Sequence, residues 1–310
     1  MVDVVQMIDV NKNIGKKRVL NNINLKISEG IIYGLVGKNG AGKTTLMKLL
    51  CGILYPTNGN ILLFNSSNLL KGRQEIGSLI EEPALYPNMN SVENLVAHGI
   101  LISNFNKNDI PNLLEIVGLK GMEEKKIKEY SLGMKQRLAI ALALLGKPKL
   151  LILDEPMNGL DPVGMKHVRE LLLRLNKEYK VSILVSSHII DELAKIVDVY
   201  GVIKEGKLIK ELVAGDFEHH SMETIKIQIL HHDIDKIFNL LKKGNFGKYH
   251  YKGNGYFVFY EFSEEQLRSL LLTLINNEIR ILQMTRKENK VEDYIISLLE
   301  DNFNEKAANI

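Results

Sequence analysis

Short apolar runs alternate with segments of helical period through the first two-thirds of the chain, the pattern of an α/β fold. Residues 4–10, 23–27, 60–63, 76–80, 181–186 and 199–203 read as strands, and the unbroken apolar runs 31–36 and 150–153 as fully buried ones. Residues 44–51, 91–102, 109–117, 131–145, 163–179 and 189–197 carry helical spacing, separated by Asn, Pro and Gly breaks. Residues 207–212 pair with 199–203 around Lys204, Glu205 and Gly206.

The pattern changes at 215–221, a polar stretch without periodicity that reads as a linker. Beyond it the predicted order is strand 224–230, helix 234–243, strands 248–253 and 256–262, helix 263–277, strand 279–285 and helix 291–299. Gly253, Asn254 and Gly255 form a hairpin signal between two aromatic strands. Ser263 and Gln266 have the spacing of a capping box. The order β-α-β-β-α-β suggests a small ferredoxin-like α+β domain. The expected division is therefore 1–215, with a helical subdomain at about 88–145, and 216–310.

Composition narrows the class. With 310 residues, 45% hydrophobic and 25% charged, the chain is globular and long enough for two domains. Its longest apolar run, 138–145, is far short of the ~20 residues that a spanning helix needs. No secretory signal is visible at Met1, Val2 and Asp3, and the single Cys51 suits a reducing compartment. A net charge of +3 gives no reason to expect a nucleic-acid partner.

Two stretches carry chemistry. Gly37, Lys38, Asn39, Gly40, Ala41, Gly42, Lys43 and Thr44 fit G-x-x-x-x-G-K-[ST] without a mismatch, between an apolar strand and a helix. Glycines there let successive backbone N–H groups turn toward phosphate oxygens, and helix N-terminal amides add positive potential. Lys43 can then reach the β- and γ-phosphates, and the Thr44 hydroxyl can ligate Mg²⁺. The run Leu150, Leu151, Ile152, Leu153 delivers Asp154 and Glu155 at a strand end. That placement suits a carboxylate holding Mg²⁺ and a second carboxylate polarising water.

Three further segments narrow the P-loop class: Tyr130 to Arg137 opening a helix, Asn158-Gly159-Leu160-Asp161-Pro162 just after Glu155, and Ser186-Ser187-His188 after the next strand. In order and approximate spacing, the five elements resemble the ATP-binding cassette (ABC) family over about residues 1–215. The resemblance implies that Gly37 to Thr45 bind phosphate, that Asp154 is the metal-binding acid and Glu155 the catalytic base, and that His188 contacts the γ-phosphate. It implies that Ser131 and Gly133 close over ATP held by the opposite subunit and that Asp161 links the two sites. It further implies a head-to-tail homodimer using ATP and Mg²⁺ beneath a separate transmembrane permease. The chain would then be cytoplasmic and peripheral on the inner face of the membrane.

Three departures from the family pattern sharpen this reading. Glu81 stands where a glutamine is usual, the signature reads Ser131-Leu132-Gly133-Met134, and Ile14 occupies the place of an adenine-stacking aromatic. The first two, with Pro83 to Met89, resemble the ATPases of bacitracin and lantibiotic self-immunity exporters. Glu81 is expected to reach the metal and to pass nucleotide state to the membrane partner. Alternatives are an exporter of another drug or a lipid, and a non-transport ATPase acting on ribosomes or DNA; one cassette and no heptad run speak against the latter. His219-His220 and His231-His232 lack a completing ligand set. The aromatic run 256–260 reads as a hairpin packed on two helices rather than a base-stacking platform.

Overall fold

The computed structural model describes residues 3–81, 83–102, 105–215, 223–244, 246–260, 262–288 and 291–299. The chain divides into two compact units, Met1–Ala214 and Gly215–Ile310. Most of the 215–221 stretch, with His219 and His220, lies outside the described residues.

In the first unit, β1 (Asp3–Ile14), β2 (Lys17–Ser28) and β4 (Asn58–Leu63) form an antiparallel sheet in the order β2-β1-β4. A six-stranded sheet has the order β5-β6-β7-β3-β8-β9, from β3 (Ile32–Val36), β5 (Ile76–Leu79), β6 (Leu150–Leu153), β7 (Ser182–Ser187), β8 (Val199–Lys204) and β9 (Lys207–Val213). Its first five strands run parallel, and β9 pairs antiparallel with β8. Every side chain of β3, β6 and β7 is buried, which explains why β3 and β6 read as continuous rather than alternating apolar runs. Helix α1 (Lys43–Cys51) sends Leu46, Met47, Leu49 and Leu50 into a core shared with β1, β2, β3 and β4. Gly52, at φ 79°, ends it with the left-handed conformation that glycine adopts at least cost.

A short helix, α2 (Leu69–Arg73), has no counterpart among the predicted elements; Asn68 caps it by accepting from the Lys71 N–H. The helical segment holds α3 (Ser91–Gly99), α4 (Ile110–Ile116) and α5 (Leu132–Leu144). Asn90 and Glu93 form a full capping box on α3. Arg137 of α5 donates to the carbonyls of Val117 and Gly118, satisfying the end of α4. Helix α6 (Pro162–Lys177) packs against α5 and β7. The helix predicted over 189–197 is only α7 (Ile190–Leu193). The chain must leave it to begin β8 beside β3: Asp198 accepts from the Ile32 N–H at 2.7 Å while its own N–H donates to the Ile32 carbonyl.

The second unit has β10 (Glu223–Ile229), α8 (Ile234–Lys243), β11 (Lys248–Tyr251), β12 (Tyr256–Tyr260), α9 (Glu264–Asn276), β13 (Ile281–Glu288) and α10 (Val291–Leu299). The antiparallel order β11-β12-β10-β13 is the split β-α-β arrangement expected from the element order. Ile225, Ile227, Ile229, Phe257 and Phe259 lie on one sheet face with α8 and α9, and Phe238 meets Phe257 edge-on at 5.3 Å. Phe257 and Phe259 of the aromatic run are thus hairpin core. Ser263 and Gln266 make the predicted capping box of α9. His231 and His232 sit in a 3-10 turn with Asp233, not on a strand.

Among the described residues no helix is long and apolar enough to cross a membrane.

Candidate nucleotide site

Because β5, β6, β7 and β3 are parallel neighbours, their C-terminal ends open onto one edge of the sheet, where ligands of open α/β sheets bind. That edge receives Gly37 after β3, Asp154 and Glu155 after β6, His188 after β7 and Glu81 two residues past β5. The register places Val36 beside Ser187 and Leu153 beside Leu79, so the segments emerge level.

The turn from β3 into α1 needs its glycines. A Cβ on Gly37 would lie 2.4 Å from the Ile203 carbonyl, and Gly42 has φ 112° with a Cβ position 2.7 Å from Leu20. Lys43 is only 6% exposed, and its ammonium donates to the Gly37 carbonyl at 2.8 Å and lies 3.3 Å from Glu155 Oε1. A cation this deep has its charge compensated inside the site and is directed into the loop that would surround a phosphate.

Asp154 is the hub. The Thr44 hydroxyl donates to its Oδ2 at 2.6 Å, and the Ser186 hydroxyl to its Oδ1 at 2.5 Å. Its own N–H donates to the Leu79 carbonyl at 2.8 Å, tying the end of β6 to β5. A hydroxyl and a carboxylate at hydrogen-bond distance are hard oxygen donors, and this pair fits Mg²⁺. Among the described residues no cluster of three or more His, Cys, Asp or Glu forms a metal cage.

Glu155 has φ 50°, a left-handed conformation unusual outside glycine. One carboxylate oxygen faces Lys43; the other accepts from the His188 N–H at 3.2 Å and lies 2.8 Å from His188 Nδ1. Glu155, Lys43 and His188 therefore meet, although His188 lies 33 residues beyond Glu155.

Other sequence-predicted residues stand nearby in the chain but do other local work. Ser131 caps α5 through the Met134 N–H at 3.3 Å, and Asp161 caps α6 through the Gly164 N–H at 3.0 Å. A Cβ on Gly133 would make ordinary van der Waals contact with Gly164 Cα, at 3.6 Å. Glu81, at φ 65° and 65% exposed, has its carboxylate 2.5 Å from Lys48, one helical turn beyond Thr44 on α1. Lys38, Asn39 and Gly40 are exposed on the loop crest, and Ala41 is buried beneath it with Thr44 and Thr45 partly buried. Ile14 ends β1 at 52% exposure.

Sequence reading missed two participants. Lys48 carries no motif signal, only its i+4 spacing from Thr44. Ser186 was legible as part of Ser186-Ser187-His188, but its contact with Asp154 crosses 32 residues.

A phosphate-shaped loop with a buried lysine after β3, facing a carboxylate pair at the end of β6, defines a P-loop nucleotide hydrolase. Comparison with known proteins narrows this. A family profile described as "ABC transporter" matches residues 20–158. The chain is 38% identical over 304 residues to the bacitracin transport ATP-binding protein BcrA of Bacillus licheniformis, covering 96% of this chain and 98% of that one. It is 42% identical over 203 residues to the lantibiotic transport ATP-binding protein SrtF of Streptococcus pyogenes, covering 66% of this chain and 88% of that one. Among solved structures, cbiO1 of Clostridium perfringens, part of the ABC transporter complex cbiONQ, superposes with TM-score 0.64 at 28% identity, covering 78% of this chain and 97% of that one. The dimeric cassette MJ0796 bound to ADP and Pi does so with TM-score 0.60 at 25% identity, covering 68% and 98%. The chain belongs to the ABC transporter family and is an ATP-hydrolysing, ATP-binding subunit of it.

Proposed function

We propose that this subunit powers a separate membrane permease that exports a peptide antibiotic of the bacitracin or lantibiotic type, conferring self-immunity or resistance. One observation carries the reading. The likeness to BcrA runs over 96% of the chain, whereas the MJ0796 cassette covers only 68%, so the likeness to BcrA extends into the C-terminal unit. In this reading the subunit is a homodimer on the inner face of the membrane, held there by its permease. The C-terminal unit is a regulatory or dimer-supporting appendage, whose deletion is expected to harm assembly or coupling more than ATP binding.

The chemistry is ATP + H₂O → ADP + phosphate. The backbone of Gly37, Lys38, Asn39, Gly40, Ala41 and Gly42 receives the phosphates, with Lys43, Thr44 and Thr45 at the helix start. Thr44 and Asp154 would hold Mg²⁺, with Glu81 as a further candidate oxygen donor; when bound, the ion neutralises phosphate charge. Glu155 takes a proton from the attacking water, while His188 fixes its second oxygen and reaches toward the γ-phosphate. Hydrogen bonding to Glu155 from a neutral His188 requires the proton on Nδ1, leaving Nε2 as an acceptor; a protonated ring can donate from both nitrogens. Ser131 and Gly133 contact ATP held by the opposite subunit, and Asp161 links the two sites. An interface stabilised by γ-phosphate contacts closes with ATP and reopens after cleavage.

The test is deletion of the gene and its complementation, with sensitivity profiled against bacitracin and several lantibiotics. Selective sensitisation to one of these peptides is expected. Unchanged sensitivity throughout rejects the peptide-antibiotic reading and leaves the ATPase standing.

A further inference from the structure

Ser186 is fully buried, and its hydroxyl touches the Asp154 carboxylate and the Glu155 backbone. Its Oγ donates to Asp154 Oδ1 at 2.5 Å and accepts the Glu155 N–H at 2.9 Å. We propose that Ser186 is a positioning residue of ATP hydrolysis: one hydroxyl orients the metal-binding carboxylate and pins the backbone of the catalytic base. The proposal rests on the roles given above to Asp154 and Glu155.

The geometry leaves little slack. Asp154 has one oxygen held by Thr44 from α1 and the other by Ser186 from β7, so the plane of its carboxylate is set from two independent elements. The relay from the Glu155 N–H through the Ser186 hydroxyl to the Asp154 carboxylate is directional, and each bond polarises the next. It ends on a charged acceptor, the stronger class of hydrogen bond. Glu155 needs such a restraint, because its left-handed backbone is held only if its surroundings over-determine it. Two residues further along the chain, His188 grips the Glu155 side chain. The end of β7 thus holds Glu155 twice, by backbone through Ser186 and by carboxylate through His188. Removing the hydroxyl would leave the Glu155 N–H without that partner and free Asp154 Oδ1 to turn.

Phosphate release by the full-length chain is followed across a magnesium titration, and affinity for a fluorescent ATP analogue is measured in EDTA. Ser186→Ala is expected to lower kcat roughly tenfold, the size of one lost hydrogen bond to a charged group. It should raise the magnesium concentration for half-saturation several-fold and leave metal-free nucleotide affinity within about twofold. Ser186→Thr keeps the hydroxyl on a strand-compatible side chain and should recover most of both losses. If Ser186→Ala does not fold, Ser186→Cys, of similar shape with a weak donor, replaces it in the comparison. A kcat and magnesium requirement within about twofold of wild type overturns the proposal. So does a loss matched by equally weakened metal-free binding, which marks a packing defect. Asp154→Asn and Glu155→Gln run in parallel separate the two levels. If they abolish turnover while Ser186→Ala does not matter, only the role of Ser186 fails; if they retain wild-type turnover, the assignment of the acids fails with it.

Discussion

The imidazole of His188 meets the carboxylate of Glu155 at 2.8 Å, and the His188 main chain donates to the same oxygen. The histidine thus holds the carboxylate whose other oxygen faces Lys43. Glu155→Gln keeps the shape but cannot accept the water's proton, so turnover should fall by a factor of about 100 or more while ATP binding persists. His188→Ala should reduce turnover less severely, because the base remains but loses its orientation. Phosphate release and equilibrium binding of an ATP analogue check both; wild-type turnover in Glu155→Gln would remove that residue from the chemistry.

Glu81 gives a different kind of expectation. Its ion pair with Lys48 is largely solvent-exposed on the glutamate side, and exposed pairs contribute at most about 1 kcal/mol. Glu81→Ala should therefore shift the melting temperature little. A role in metal contact or in signalling to the permease instead predicts lower ATPase activity and lower antibiotic resistance. Unchanged values of both would reduce Glu81 to a solvated loop acid.

Phe257 is fully buried in the core of the second unit, between the rings of Phe238, Tyr249 and Tyr251. Phe257→Ala should cost about 3–5 kcal/mol there by removing apolar contacts and leaving a cavity. Urea unfolding followed by hydrogen exchange should localise the loss to residues of that unit.

Burial pushes the Cys51 thiol up to about 11, with a hydrogen bond to Ser78 acting weakly the other way. The folded protein keeps this proton where the unfolded chain, ionising near 9, begins to lose it. Cys51 therefore contributes a loss of stability as pH rises from about 9 toward 11, and none below that window. Alkylation of the native protein at pH 8 should be much slower than in denaturant. Equal rates would contradict the burial of the thiol.

The motifs whose parts are contiguous were legible without coordinates. The glycines and lysine of the phosphate loop, the apolar run ending in Asp154 and Glu155, and the capping pair Ser263 and Gln266 act within one turn or one strand, so spacing alone encodes their geometry. The element order of the second unit was enough to suggest its split β-α-β arrangement, since few connections satisfy it. Local pattern could not say that Asp198 would cut the 189–197 helix short, because its partner Ile32 lies 166 residues away. Nor could it bring Thr44 to Asp154 across 110 residues, Ser186 to both acids, or Lys48 to Glu81. Those meetings depend on the parallel register of β5, β6, β7 and β3, which brings four distant strand ends to one edge. The sequence by itself determined which side chains the site has and what each can donate or accept. Tertiary structure decided which of them share a proton or a charge, because hydrogen bonds reach only about 3 Å and only the folded sheet brings them that close.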